Sequence, residues 1–284
     1  MRDIGILRAN WDCWSDCNLR CEFCFRSMAV PVDEREAQRL VRALAFSGVD
    51  HLTLTGGDPS LRKDLEQIVD AGHRHGMAVE VLTNAQHQPA RVLRALAKAD
   101  LVGVSLDGAD QTTHDAFRGK RGNFRRVMEL MDFLDGEGVP YVVRTVISRE
   151  NSGETAEIAR LISGRRQLLR WSVQQFTPVG LGYRNRERYA ITDASFLAAC
   201  RTAREAFSSA SADFTTLSDA GKVRLYLFAD SSGNLFCRSS REGSETLPTI
   251  GNILTTHLAT LAERVQIDPS RHARRYATWI PENR

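Results

Sequence analysis

Short apolar, β-branched runs alternate with amphipathic stretches of helical period through the first two-thirds of the chain. Residues 51–55, 78–83, 101–106, 141–147 and 169–176 read as strands, with 4–9 as the first of the series. Between them lie stretches with the period of a helix. Asp33 with Glu36 forms a capping box, Ala37, Leu40, Val41 and Leu44 recur at helical spacing, and Gly48 ends the helix. Further helices are predicted over 61–75, 89–99, 123–135 and 155–163. Strands this apolar, separated by helices, imply a parallel sheet covered on both faces. The predicted fold class is therefore α/β. Six strand–helix units fall short of a full eightfold barrel, so the expectation is a partial (β/α)6 TIM-like barrel with its site at the strands' C-terminal ends.

The pattern changes near Pro178 and Gly182. Beyond it come a strong helix (194–207), a strand-like run (222–229), a hairpin at 232–234 and a last helix over 256–265. This predicts two domains, a barrel over 1–178 and a small α+β appendage over 179–284.

Composition narrows the function classes. The 38 basic and 35 acidic residues nearly balance, which gives no reason to expect a nucleic-acid partner; the short arginine pairs read as solvated faces. No apolar run approaches the ~18 residues of a membrane span, and the N-terminus lacks a signal-peptide pattern. A cytoplasmic protein with no membrane partner is expected. Four of the six cysteines lie within residues 13 to 24, a clustering that points to metal rather than to a disulfide framework.

Cys17, Cys21 and Cys24 form a Cys-x3-Cys-x2-Cys loop after the first strand. Three thiolates are one short of a four-iron cluster or a closed zinc site, and an open metal position is where chemistry happens. A zinc tetrad completed by Cys13 is the competing reading, but its spacing is unlike paired Cys-x2-Cys knuckles, and it leaves other strand-end motifs without a role. Those motifs are Gly56-Gly57-Asp58-Pro59, Thr83-Asn84-Ala85 and Ser105-Leu106-Asp107-Gly108. Glycines permit close backbone approach, and Asp58 can accept from an ammonium. His51, His73 and His75 read as surface or capping residues, and Cys200 as core.

The three cysteines, with Phe23 before the last, resemble the cluster motif of radical S-adenosylmethionine (SAM) enzymes. Gly56, Gly57 and Asp58 resemble that family's Gly-Gly-Glu-Pro segment, with Asp in place of Glu, and Asn84 lies in a counterpart of its Thr-Asn-Gly. Ser105 and Asp107, followed by Arg118, resemble a segment of the twitch/SPASM branch, where serine and arginine take the SAM carboxylate. The resemblance implies one [4Fe-4S] cluster and SAM as cofactors, an external electron donor of flavodoxin or ferredoxin type, and a 5′-deoxyadenosyl radical that takes a substrate hydrogen.

Asp230 to Cys237 resembles a twitch-type hairpin, yet only Cys200 and Cys237 lie beyond residue 24, too few for an auxiliary cluster. That shortage favours a reaction whose electrons balance internally. The layout is similar to aminoglycoside epimerases of neomycin biosynthesis, which implies a small-molecule substrate and Cys237 as hydrogen-atom donor. Modification of a ribosomal peptide is the alternative, with no leader-binding domain expected before the first strand. A cluster-binding regulator that does not turn over is the reading from another class. Glu80, Arg144, Gln174 and Asp230 are candidate polar contacts to substrate, and at most one of Gln174 and Gln175 faces the barrel.

Overall fold

The computed structural model describes residues 8–25, 33–256, 267–268 and 270–272. Six strands alternate with helices along the chain: β1 (Arg8–Trp14), β2 (His51–Gly56), β3 (Ala78–Thr83), β4 (Leu101–Ser105), β5 (Tyr141–Ile147) and β6 (Leu168–Gln175). Each pairs in parallel with the next. The helices between them are α1 (Glu34–Phe46), α2 (Leu65–Arg74), α3 (Ala90–Lys98), α4 (Gln111–Arg118), α5 (Asn123–Glu137) and α6 (Thr155–Ile162). After β6 come α7 (Leu181–Arg184), α8 (Arg186–Tyr189), α9 (Asp193–Ala206) and the strands β7 (Asp213–Leu217), β8 (Leu227–Ala229), β9 (Asn234–Phe236) and β10 (Thr249–Asn252). The expected α/β class with a mostly parallel sheet is what forms.

The C-terminal strands join the same sheet, whose order is β10-β9-β8-β1-β2-β3-β4-β5-β6-β7. β7 extends it in parallel beyond β6, and β8 lies parallel to β1. β9 and β10 follow antiparallel. Backbone pairing therefore runs without a break across residue 178.

Alternation along each strand separates two environments. Outward-facing Trp11, Leu52, Leu54, Val79, Val81 and Val104 pack in the main core beneath the helices. Each such burial contributes about 1.5–3 kcal/mol. Inward-facing Arg8, Asn10 and Asp12 on β1 are buried polar residues. This explains why the first strand runs past the expected end at residue 9. Residues 4–7 lie outside the described residues, and the polar inner face of 8–14 reads as a loop in sequence although it is a strand.

Charge fills the barrel floor. Glu80 accepts from Arg8, from Arg144 at 2.6 Å and from the Thr53 hydroxyl at 3.1 Å. Burial would raise the Glu80 carboxyl, but Arg144 and Arg8 outweigh it and hold it at about 2. His51 is not a surface residue: it is buried in this floor, and burial beside Arg8 lowers it to about 3. α2 starts later than expected because Pro59–Leu61 forms a separate 3-10 turn. The predicted helix at 256–265 lies outside the described residues beyond Thr256.

Candidate functional site

The cysteine loop is clamped by the turn after β2. Gly57 N donates to Trp14 O at 2.6 Å and Asp58 N to Asp16 O at 2.9 Å. A Cβ on Gly57 would stand 2.0 Å from Asp16 O, and one on Gly56, at φ +124°, 2.3 Å from Trp14 O. The two glycines are thus needed for contact between backbones, which positions the loop. Phe23 anchors its far side, packed 4.2 Å from Phe117 and 5.8 Å from Tyr189 between ring centroids. Gly182 N bonds Cys24 O at 2.8 Å, and Asn185 Nδ2 bonds Glu22 O at 3.0 Å. α7 and α8, which had no functional signal in the sequence, brace the loop.

Cys17 Sγ accepts from Leu19 N at 3.4 Å and Asn84 Nδ2 at 3.5 Å, while Cys21 Sγ donates to Arg118 O at 3.3 Å. Burial pushes the Cys21 thiol up to about 11, with Arg118 acting against it and the charges of Cys24 and Cys17 adding to it. Cys13 stands apart. It is buried in the main core, whereas Cys21 lies in a second cluster with Leu19, Phe23 and Phe117. Cys17 and Cys24 pack against that second cluster and apart from Cys13, and among the described residues no three His, Cys, Asp or Glu side chains are drawn together closely enough to hold a metal ion.

The rim motifs are joined by buried hydrogen bonds. Asp58 accepts from Ser60 N (2.9 Å), the Thr83 hydroxyl (3.1 Å) and Asn84 N (2.7 Å). Its carboxylate pins the β2 and β3 turns together. Asn84 also reaches Asn18 Oδ1 at 2.9 Å. Asp107 accepts from Val146 N at 2.7 Å and pairs with Arg118 at 2.5 Å. Arg118 stacks over Phe23 at 5.3 Å, and its buried Nε has no hydrogen-bond partner among the described residues. That spare donor beside Cys21 suits a carboxylate. Ser105, half-buried, ends β4 in register with Arg144.

Two residues that carried no assigned role connect these motifs. His114 Nδ1 accepts from Asp107 N at 3.1 Å, and its Nε2 lies 3.0 Å from Asn123 Oδ1. Asn123 Nδ2 donates to Asn84 O at 3.0 Å. Burial, with Arg118 nearby, lowers His114 to about 4, so it is neutral and relays position rather than charge. The sequence signal was a histidine and an asparagine bracketing the Phe117–Gly119 turn.

Cys237 follows β9. It is 4% exposed in the main core with Leu227, Leu235 and Ile253, and burial pushes its thiol up to about 11. Cys200 is core, as expected. Of the polar candidates, Glu80 is committed to the floor and Asp230 accepts from Ser232 N and Asn234 N in the β8–β9 turn. Gln175 bonds Asp193 and Asp219 N outside the lumen, which leaves Gln174 as the inward member of the pair.

Among known proteins, an AdoMet-dependent heme synthase of Methanosarcina barkeri is 32% identical over 160 residues, 53% of this chain and 46% of the relative. The sporulation killing factor maturation protein SkfB of Bacillus subtilis is 30% identical over 149 residues, 50% of this chain and 36% of its own. The matched part is thus less than half the length of either relative. The crystal structure of Streptococcus suis SuiB superposes with a TM-score of 0.70 at 16% identity, over 94% of this chain and 67% of SuiB, a likeness of fold. No described helix is long and apolar enough to cross a membrane. The model of the radical SAM superfamily matches residues 13–162, more than half the chain, and the protein belongs to that superfamily.

Proposed function

We propose that this radical SAM enzyme modifies a peptide substrate. Membership of the superfamily brings a [4Fe-4S] cluster and SAM. When bound, they supply a 5′-deoxyadenosyl radical that removes a hydrogen atom from the substrate, a step that needs an external electron. In this reading Cys17, Cys21 and Cys24 hold the cluster, and the carbonyls of Gly56 and Gly57, Ser105 and Arg118 take the polar groups of SAM. Phe23, Asp58, Asn84 and Asp107 position them through the contacts described above. A flavodoxin- or ferredoxin-type protein serves as donor. Residues 179–284 act as the substrate-side wall, through β8 and β9 beside β1.

The peptide reading is carried by one observation. The fold likeness to SuiB extends over 94% of this chain, C-terminal strands included, and SuiB has also been solved bound to precursor peptide SuiA. SkfB, a maturation protein, is among the sequence relatives. The aminoglycoside-epimerase reading depends on Cys237, whose burial in the core gives it no support.

The test is turnover. Reduced, iron-reconstituted protein with SAM should form 5′-deoxyadenosine faster with short peptides encoded beside its gene, and one of them should change mass or stereochemistry. Stimulation by aminocyclitol sugars and not by peptides would overturn the reading. In heavy water, deuterium on a substrate carbon that disappears in Cys237→Ala would restore Cys237 as donor; no such Cys237-dependent label is expected.

A further inference from the structure

Asp12 is a buried acid that the site described so far leaves unused. It lies on the inner face of β1, opposite Thr55 of β2, and is 4% exposed. Register continues it toward β8: Asn10 pairs with Phe228 and Trp11 with Ala229, which sets Asp12 beside Asp230. Asp230 spends its carboxylate on Ser232 N, Asn234 N and Asn234 Nδ2 in its own turn. The lumen cations Arg8 and Arg144 are engaged by Glu80. No hydrogen bond or ion pair reaches the Asp12 carboxyl among the described residues. A structural acid at this depth would be paired; an unpaired one costs stability unless a donor comes from outside the chain.

The wall next to Asp12 is aromatic. Phe228 shares the inner face with Asn10 and stacks on Phe236 at 5.4 Å, nearly parallel. Tyr226 and Phe25 stand 5.9 and 5.8 Å from the Phe228 ring. Phe25 directly follows the last cysteine of the loop, so this wall adjoins the cluster motif. A carboxyl with no donor among the described residues, beside the half-buried Tyr226 and Phe228 rings, fits one chemical class best, an organic ammonium. Carboxylate and aromatic ring both favour a cation, and both favour it more when water is excluded.

We infer that the inner face of β1 and β8, at Asp12 and the Phe228 ring, binds a protonated amine of the substrate, the chemistry of a lysine side chain. The inference rests on the peptide reading for its substrate, yet its test reads binding and not turnover, so the two fail separately. Burial, with the Asp230 carboxylate beside it, pushes the Asp12 carboxyl up to about 7. Thr55 on β2 adds no charge, and Arg8 on its own strand is held by Glu80. The amine should therefore bind better as pH rises and Asp12 loses its proton.

The experiment is calorimetric titration of the iron-reconstituted, SAM-loaded protein with Nα-acetyl-lysine N-methylamide and with its norleucine isostere. At pH 8 the lysine probe should bind tighter by about tenfold or more, the scale of a charge-assisted hydrogen bond. The preference should shrink below about pH 6, vanish in Asp12→Asn and weaken in Phe228→Leu. Equal binding of the two probes, or a preference that survives Asp12→Asn, would overturn the inference. So would loss of SAM affinity in Asp12→Asn, which would assign the carboxyl to the cofactor. Unfolding against pH checks the buried state independently. The folded chain keeps the Asp12 proton up to about 7 and the unfolded chain gives it up near 3.8, so wild-type stability should fall between those values relative to Asp12→Asn. Identical pH slopes would mean that Asp12 is not the buried, unpaired acid the inference needs.

Discussion

Ala85 occupies the left-handed region at φ +64°, in the turn where the family's segment carries glycine. A Cβ in that conformation costs on the order of 1 kcal/mol. The turn holds because Thr83 Oγ1 accepts Ala85 N at 3.1 Å and Asn84 Oδ1 accepts Gln86 N at 2.8 Å. Ala85→Gly should stabilise the protein by about 0.5–1 kcal/mol in urea denaturation; destabilisation would mean that the buried methyl outweighs the strain. At this scale the sequence was legible where close backbone approach demands glycine, as at Gly56 and Gly57, where a Cβ would meet Trp14 O and Asp16 O. It was less legible where a residue type has two uses. Asp58 looks like a ligand for an ammonium, and the structure gives its oxygens a second use, accepting from Ser60, Thr83 and Asn84. Asp12 was hidden altogether, because polar residues on a barrel's inner face break the apolar run that marks a strand.

Among the elements, the turn after β2 holds the cysteine loop most tightly. Gly57→Ala would force a methyl into Asp16 O, a backbone atom that cannot swing aside. We expect a cost of about 1–3 kcal/mol, near-native circular dichroism and a loss of most of the iron taken up on reconstitution. Wild-type iron content in that variant would show that the loop is set elsewhere. The strongly periodic elements were readable: α1, α3, α5, α9 and strands β2 to β6 lie within a few residues of their predicted places. α4 was not, since it buries only His114 and Phe117 and is held by its Asp110–Thr113 capping box and the Gly119 cap. β7 is short and only its last residue is buried, which leaves little pattern to find.

Across the whole molecule, the barrel is held from inside by charge as well as from outside by hydrocarbon. Glu80 joins β1, β3 and β5 through Arg8 and Arg144. Its carboxyl is held at about 2, below its ordinary 4.5, so this contribution is complete above about pH 4.5 and fades as pH falls toward 2. Glu80→Gln should cost about 3–5 kcal/mol, because two buried guanidiniums lose their counter-charge. A melting temperature unchanged at pH 7 would show that the floor is solvated. The sheet's parallel class was legible from strand and helix alternation, but its order was not. Nothing local in residues 227–229 announces that they pair with the first strand rather than with their neighbours.

That pairing also sets a timetable. Asn10 and Phe228 are partners separated by 218 positions in the chain, and translation at about 5–20 residues per second puts roughly 10–40 s between them. During that interval β1 has an open edge, and the aromatic wall beside Asp12 does not yet exist. The cysteine loop is therefore synthesised well before the wall that will flank it, and until β8 arrives the Phe25 ring lacks its Phe228 neighbour.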